Sequence, residues 1–297
     1  MDAVLYAPDN TPGNKTLFSK SVARTLLAKI YAEKPLRDYT KVIQYCDEVK
    51  ADGFDLVDDF SDLFGMNAAG TDAKMRNTKE SILEAQFTSG AGNWCTWMFG
   101  RDLVNWNNNF TWAKWVTPSR DLISAFKQEG DEVRFKESIV YYDCNWSNYY
   151  PSDNYPFMYK CRSANSSIIK YRYADVLLLK AEALIMQDTP DLEGAADIID
   201  EVRDRAKLGA LPTSVRSNKN VLLNALLKER RLELAFEGQR WFDLVRLDKV
   251  EEVMNAVYAK DSGRKAQIYT FDKNSYRLPI PQSVIDANDK IHQNPGY

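Results

Sequence analysis

Apolar residues recur with helical spacing in three pairs of segments along this chain, and no other feature restricts the fold as strongly. The pairs are Ser19–Tyr31 with Tyr39–Val49, Tyr173–Met186 with Leu192–Ala206, and Asn220–Phe236 with Gln239–Val257. Apolar residues spaced three or four positions apart lie on one side of a helix, where a core can cover them. In the first segment we expect the inward face to consist of Val22, Ala23, Leu26, Leu27 and Ile30.

The helices of each pair begin about 20 residues apart, which is the internal spacing of tetratricopeptide-type repeats. The pairs are not in tandem, because about 120 residues separate the first pair from the second. We therefore predict a mainly α fold, in which tetratricopeptide-like helix pairs form a scaffold with a large irregular, loop-rich insert. The predicted layout is a single domain with a helix pair in 1–52, a ligand-binding insert in 53–170, two helix pairs in 171–260 and a C-terminal tail in 261–297.

The insert lacks sustained periodicity. Ser81–Phe87 fits a strand or a short helix, and Gly90–Thr117 is typical of a loop. Pro118–Lys127 has the apolar spacing of a helix with proline in its first turn. Asn145–Ala164 is rich in Tyr, Asn, Ser and Pro, which favours another loop. Loops mounted on a rigid scaffold are where binding function is usually found.

Five of the seven tryptophans fall between Trp94 and Trp115, and no charged side chain occurs from Phe87 to Gly100. Aromatic faces beside neutral amides suit a hydroxyl-rich ligand such as a sugar, because rings cover its C–H faces and amides bond its hydroxyls. The alternative is an irregular core, since aromatic residues are more often buried than displayed. Trp112 and Trp115 lie closest to the next predicted helix and fit that alternative better than the others.

Composition excludes several classes of protein. A net charge of −3 provides no basic footprint for nucleic acid. The most apolar run, Val176–Ile185, is interrupted by Lys180 and Glu182 and is too short for a membrane helix. The four cysteines lack C-x-x-C spacing and are interpreted as small apolar residues, with Cys144–Cys161 as the one disulfide worth testing.

Charged clusters are better explained by structure than by catalysis. Glu229, Glu233 and Glu237 recur at i+4 near arginines, which indicates an ion-pair network between helices. The aspartates of 52–62 lack the spacing of a calcium loop, so we expect a solvated helix end and no metal site. A Ser-His-Asp hydrolase has only His292, in the tail, as a possible base.

Segments of the C-terminal half resemble the SusD/RagB family, the surface glycan-binding lipoproteins of Bacteroidetes-type bacteria. The most specific is Glu229–Arg246, with the sequence ERRLELAFEGQRWFDLVR. Further similar segments are YRYADV at Tyr171–Val176, VRDRA at Val202–Ala206, RLPIP at Arg277–Pro281 and QNPGY at Gln293–Tyr297. The resemblance extends over most of the chain from about Ser19.

The resemblance implies a tetratricopeptide-like α fold that binds a glycan, carries no cofactor and is not an enzyme. Its partners would be an oligosaccharide or polysaccharide and a TonB-dependent transporter, at the surface of the outer membrane, in a polysaccharide-uptake system. Members begin with a signal peptide, a lipid-modified cysteine and a first helical repeat. None is visible here, so we expect an N-terminal portion, with its lipid anchor, to be absent from this chain.

Within this framework we predict that Trp94, Trp97 and Trp106 stack on sugar rings, with Asn93 and Asn107 as hydrogen-bond partners. These choices depend on composition and on position in the insert. The competing hypothesis is a protein-interaction scaffold that uses its helix pairs and packs the tryptophans inside. A glycoside hydrolase is the third alternative. It would need two carboxyl groups facing one glycosidic bond, and no sequence rule identifies such a pair among the acidic residues of this chain.

Overall fold

The structure is a computed structural model of the chain that describes residues 14–88, 91–93, 117–143, 150–260 and 270–297. The residues form two compact units, one ending at Gly238 and the other spanning Gln239–Tyr297. Helices dominate, and the strands in the described ranges form two two-stranded sheets. The prediction of a mainly α, tetratricopeptide-like fold is confirmed.

The first helix pair begins where capping side chains are available. Helix α1 is Lys20–Ala32, and the hydroxyl of Ser19 accepts a hydrogen bond from the backbone N–H of Val22. Helix α2 is Tyr39–Ala51, and Asp38 caps it in the same way through the N–H of Lys41. Such caps satisfy N–H groups that have no partner within the helix. Both helices lie within two residues of their predicted bounds.

The remaining scaffold helices of this unit surround one long apolar helix. Helix α6 is Tyr173–Met186, α7 is Leu192–Arg205, the short α8 is Thr213–Arg216 and α9 is Lys219–Glu233. Helix α6 is buried on nearly every side, because α2, α7 and α9 all pack against it. This explains why its sequence is apolar almost throughout rather than on one stripe.

The predicted inward face of α1 is wrong in part. Val22 is buried, but Leu26 and Ile30 are 42% and 40% exposed, while Thr25 and Ala28 occupy the core side. Periodicity identifies the apolar side of a helix, but it does not say which side the neighbouring elements cover. In α1 the neighbours cover the side with the small residues.

The insert contains more regular structure than predicted. It comprises α3 (Ser61–Phe64), β1 (Ser81–Ala85), α4 (Arg120–Glu129), α5 (Glu132–Ser138), β2 (Ile139–Tyr142), β3 (Tyr155–Met158) and β4 (Ile168–Arg172). The prediction of a continuous loop over Asn145–Ala164 is therefore wrong at β3, which pairs antiparallel with β2. Strand β1, the strand alternative for Ser81–Phe87, pairs antiparallel with β4. Strand β4 was not recognised, and its partner β1 lies more than 80 residues earlier in the sequence.

The second unit corrects the last predicted helix. Instead of one helix over Gln239–Val257, there are α10 (Arg240–Arg246) and α11 (Val250–Lys260). Asp248 adopts a positive φ of 57° between them, which stops α10 from continuing. A 3₁₀ helix at Lys273–Tyr276 and α12 (Gln282–Ala287) follow.

The two tail segments that resemble the family bind each other in this second unit. The side-chain amide of Gln293 accepts from the N–H of Ile280 at 2.8 Å and donates to its carbonyl at 2.9 Å. Asn294 donates to the carbonyl of Leu278, and the Tyr297 hydroxyl donates to that of Arg277. The Gln293 side chain thus bonds both the N–H and the carbonyl of Ile280, as a neighbouring β-strand would. The segment Gln293–Tyr297 therefore holds the segment Arg277–Pro281 in place.

Candidate functional site

Most of the predicted site lies beyond the residues that the structure describes. Trp94, Trp97, Trp106 and Asn107 fall in the gap between residues 93 and 117, and the structure says nothing about their positions. Asn93 is the last described residue before this gap and Thr117 the first after it. The candidate site is therefore built from the residues that fix the two ends of the tryptophan segment, residues 94–116.

Asn93 holds the start of the tryptophan segment against the connection between β3 and β4. Its side chain is buried, and Nδ2 donates to the carbonyl oxygens of Ser163 at 3.2 Å and Ser166 at 2.8 Å. Its backbone N–H donates to the carbonyl of Ala164 at 2.8 Å. A carboxamide has two N–H donors, and protein carbonyls take both. The predicted hydrogen bond from Asn93 to a sugar stays a prediction, and the amide nitrogen has a structural task.

Gly92 allows this close approach. A Cβ at position 92 would lie 3.0 Å from the Cβ of Ala164 and 3.4 Å from its carbonyl oxygen. The chain next to Asn93 therefore runs against Ala164 without a side chain between them. Gly92, which lies in the uncharged stretch before the tryptophans, therefore serves packing at this position.

Arg76 also contacts the connection between β3 and β4. Its Nη2 donates to the carbonyls of Phe87 at 2.6 Å and Asn165 at 3.0 Å, and Nη1 donates to the hydroxyl of Ser167 at 2.9 Å. One planar guanidinium thus joins the chain after β1 to the segment before β4. Arg76 was not among the predicted site residues, because nothing in its sequence neighbours distinguishes it from a surface arginine.

The far end of the tryptophan segment is fixed at the β2–β3 sheet. The hydroxyls of Thr117 and Tyr155 lie 2.7 Å apart, and the Tyr150 hydroxyl donates to the carbonyl of Pro118 at 2.7 Å. The rings of Tyr150 and Tyr155 meet edge to face with centroids 5.7 Å apart. Tyr155 pairs with Tyr142 at the end of the sheet. The described residues that flank 94–116 therefore contact those that flank residues 144–149.

A buried ion-pair network lies at the end of α9. Its carboxylates belong to Glu80, Asp131, Glu229, Glu233 and Glu237, and its cations to Arg134, Lys160, Arg172 and Arg205. All of these side chains are at most 11% exposed. We call this set the buried ion network. Burial of so many charges is tolerated because each has an opposite charge within hydrogen-bonding distance.

The structure confirms the predicted ion-pair role of the three glutamates but changes their partners. Glu233 contacts Arg134, Arg172 and Arg205, which come from three different elements. Burial favours the neutral acid, yet these guanidinium groups outweigh it and hold the pKa of Glu233 well below its usual range. Arg230 and Arg231, which neighbour Glu229 and Glu233 in sequence, pair with Asp175 and Asp121.

Lys160 connects the buried ion network to the segment that holds Asn93. Its Nζ donates to the backbone carbonyl of Glu233 at 2.8 Å and to the carboxylate of Glu237 at 2.6 Å. Burial lowers the pKa of Lys160 to about 8. Three residues further along the chain, Ser163 accepts from Asn93. A continuous series of contacts therefore runs from α9 to the start of the tryptophan segment.

Other predicted features have plain structural explanations. In the aspartate-rich stretch, Lys79 pairs with Asp55 and Asp58, while Lys74 pairs with Asp59 and Asp62. Among the described residues no group of His, Cys, Asp and Glu is arranged to hold a metal ion. In the same ranges no helix is long and apolar enough to cross a membrane. Cys144 lies outside them, so the Cys144–Cys161 disulfide stays a prediction.

Comparisons with known proteins agree with the motif resemblance. The model of the SusD family matches residues 154–297. SusD-like protein P38 of Formosa agariphila is 43% identical over 99 residues, which are 31% of this chain and 19% of that protein. SusD-like protein P2 of the same organism is 36% identical over 143 residues, which are 46% of this chain and 27% of that protein.

Solved structures share the fold over nearly the whole chain. A SusD-like protein of Bacteroides fragilis has a TM-score of 0.73 at 21% identity, with 100% of this chain and 69% of that chain covered. A laminarin-binding SusD-like protein has a TM-score of 0.71 at 24% identity, with 100% and 67% covered. Surface glycan-binding protein A of Bacteroides thetaiotaomicron, in complex with laminarihexaose, has a TM-score of 0.73 at 19% identity, with 97% and 66% covered.

This chain thus spans about two thirds of the solved relatives, and its matched segments are less than a third of the two Formosa proteins. The family match includes the buried ion network's Glu229–Glu237 segment and the tail segments that bind each other. The match of residues 154–297, the two SusD-like relatives and the fold shared with solved SusD-like structures together support similarity of this chain to the SusD/RagB family.

Proposed function

We propose that this protein binds a glycan at the outer-membrane surface and delivers it to a TonB-dependent transporter, without acting as an enzyme. The observation that carries the proposal is the fixed, uncharged start of a tryptophan-rich segment on a SusD-like scaffold. The side chains of Asn93 and Arg76 donate five hydrogen bonds to backbone and hydroxyl oxygens beside that start, and the backbone N–H of Asn93 donates a sixth. Rigid support of this kind lowers the ordering cost of binding.

In the proposed site, Trp94, Trp97 and Trp106 stack on sugar rings and Asn107 bonds hydroxyls. Asn93 takes part by holding the segment, since both of its amide hydrogens have protein acceptors. The absence of charge from Phe87 to Gly100 suits a neutral glycan. A few stacking contacts and exposed hydrogen bonds offset the cost of association only modestly, so we expect weak to moderate affinity.

Laminarin oligosaccharides are the first ligands to test, because two solved relatives bind laminarin or laminarihexaose. At 24% and 19% identity those relatives support a shared fold rather than a shared ligand. Plant, host and microbial oligosaccharides therefore belong in the same panel. Calorimetry and tryptophan fluorescence together report both affinity and the participation of the indole rings.

The test of the proposed stacking is a pair of variants at one position. Trp97→Ala removes the aromatic face and is expected to weaken binding about tenfold, equivalent to ~1.4 kcal/mol. Trp97→Phe keeps a flat ring and is expected to retain most of the affinity. Circular dichroism must show unchanged folding of both variants. If Trp97→Ala unfolds the protein while glycan binding by the folded fraction is unaltered, Trp97 belongs to a core.

A second candidate is a protein-interaction scaffold that binds no sugar, and the exposed Leu26 and Ile30 of α1 favour it. This function predicts co-purification with a transporter and no response to any glycan. Release of shortened products from a glycan would instead support a hydrolase. These three outcomes are distinguishable with the same purified protein and the same ligand panel.

A further inference from the structure

A small cavity lies between α2, α6 and α7, where the first two helix pairs meet. Two of the side chains that line it, those of Cys46 and Tyr173, are 1% and 2% exposed. Asp47, Lys50 and Glu201 also line the cavity and are exposed. The cavity therefore extends from the core of this unit toward the surface. We call it the inter-pair cavity.

Tyr173 places a polar group in the inter-pair cavity that the protein itself does not satisfy. Its side chain is buried, and its hydroxyl forms no hydrogen bond with any residue that the structure describes. A phenolic hydroxyl both donates and accepts, and buried groups of this kind are nearly always bonded to protein or to ordered water. The cavity therefore offers hydrogen bonds to a small molecule.

Size and charge restrict what the inter-pair cavity can hold. Its volume is about 30 Å³, and one water molecule needs about 10–15 Å³ of such space, so there is room for about two. Two of the charged side chains that line it are negative, Asp47 and Glu201, and two are positive, Lys50 and Lys180. Lys180 and Asp47 also pair with each other. Because the charges balance, neither a cation nor an anion finds a net opposite charge there, and a neutral molecule of the size of water fits best.

Glu201 provides the second polar side of the inter-pair cavity. Burial raises the pKa of Tyr173, and the carboxylate of Glu201 raises it further, since its negative charge disfavours the phenolate. The two groups thus lie close enough to interact electrostatically, yet they form no hydrogen bond with each other. A water molecule between them can accept from the hydroxyl and donate to the carboxylate.

We propose that about two ordered water molecules occupy the inter-pair cavity and connect the Tyr173 hydroxyl of α6 to the Glu201 carboxylate of α7. The Tyr173 hydroxyl donates to one water, and that water or its neighbour donates to Glu201. Helices α6 and α7, which already pack against each other, are thereby also joined by water-mediated hydrogen bonds. The site is independent of whether the protein binds a glycan.

The sign of the stability change in Tyr173→Phe distinguishes a hydrated cavity from a dry one. If water bonds the hydroxyl, the variant loses hydrogen bonds, and we expect the equilibrium constant for unfolding in urea to rise about two- to tenfold. If the cavity is dry, removal of an unsatisfied hydroxyl is neutral or stabilising. An unchanged or smaller unfolding constant therefore overturns the proposal.

Tyr45→Phe is the matched control, because it removes the same atom outside the cavity. Tyr45 is half-buried on α2, its ring stacks on that of Tyr31 with centroids 5.9 Å apart, and it does not line the cavity. We expect its unfolding constant to stay unchanged. A rise equal to that of Tyr173→Phe contradicts the proposal, because the effect then does not depend on the cavity.

A high-resolution crystal structure of the same chain provides the direct readout. We expect electron density for water within about 3.2 Å of the Tyr173 hydroxyl, continuing to a carboxylate oxygen of Glu201 directly or through a second water. In Tyr173→Phe the water next to position 173 is expected to be lost or displaced. An empty cavity, water that does not reach Glu201, or density that refines only as a molecule of the crystallisation solution overturns the proposal.

Discussion

The buried ion network makes its clearest prediction at Arg134, whose guanidinium contacts three carboxylates. Its Nε lies 2.5 Å from Asp131, and its Nη1 lies 2.5 Å from Glu229 and 3.0 Å from Glu233. Arg134→Met fills the space with an apolar side chain and removes the charge. Breaking a buried ion pair from one side costs about 3–5 kcal/mol, because the remaining charge is left without compensation.

The loss of Arg134 affects its three carboxylate partners unequally, and this narrows the expected loss of unfolding free energy. Glu233 keeps Arg172 and Arg205, and Glu229 keeps Arg203. Asp131 depends on Arg134 for its ion pair, and burial already raises the pKa of Asp131 above its ordinary value. Asp131 can therefore take up a proton in the variant, which limits the loss of unfolding free energy to about the lower half of that range.

Arg216 provides a matched control with the same number of partners. It contacts Glu193, Asp197 and Asp200 at 2.5–2.7 Å, but Glu193 and Asp197 are 67% and 71% exposed. Solvent screens such pairs, so Arg216→Met is expected to change stability by about 0–1 kcal/mol. Urea unfolding of both variants beside the unsubstituted chain, with equal slopes, measures the difference. Comparable losses for Arg134→Met and Arg216→Met would refute the assignment of stability to burial.

Two further predictions concern single polar groups. Asn93→Ala leaves the carbonyl of Ser166 without its donor at 2.8 Å and is expected to lower the free energy of unfolding by about 1–3 kcal/mol. The control is Asn165→Ala, which removes an exposed side-chain hydrogen bond and is expected to lower it by less than about 0.5 kcal/mol in the same urea assay. Burial works to raise the pKa of Asp175, but Lys29 and Arg230 outweigh it and hold the pKa low. A depressed carboxyl pKa contributes stability above the unfolded value of about 3.9 that is lost as pH falls below it, so Asp175→Asn should flatten the decline of the melting temperature between pH 5 and pH 3. Parallel pH profiles for the variant and the unsubstituted chain would contradict this linkage.

The sequence predicted the scaffold well because helix periodicity is local. Tyr173–Met186 was predicted with the bounds that the structure has, and the helices of the first pair lie within two residues of their predicted bounds. Where the outcome depended on distant residues, prediction was weaker. Helix α1 shows this limit, since Val22 of its predicted inward face is buried while Leu26 and Ile30 are exposed.

The same limit applies to the site. The Glu229–Glu237 spacing correctly indicated ion pairs, but Arg134, Lys160 and Arg172 could not be identified as the partners from sequence separations of 60 to 100 residues. Arg76 was missed for the same reason, since its partners Asn165 and Ser167 lie about 90 residues away. Strand β3 was missed because the segment around it, rich in Tyr, Asn, Ser and Pro, was interpreted as a loop. The neutral composition around the tryptophans indicated a ligand class, while the buried amide of Asn93 shows that one of the chosen residues also has a structural task.

The most direct test of the central claim is a calorimetric titration of the purified chain with the glycan panel at low and high salt. A neutral ligand on an uncharged aromatic surface has little ionic contribution to screen. We therefore expect saturable binding of at least one neutral oligosaccharide, with a Kd that is the same within about twofold at about 50 and 500 mM salt. The absence of binding to every glycan, or affinity for an acidic ligand alone that disappears at high salt, would contradict it.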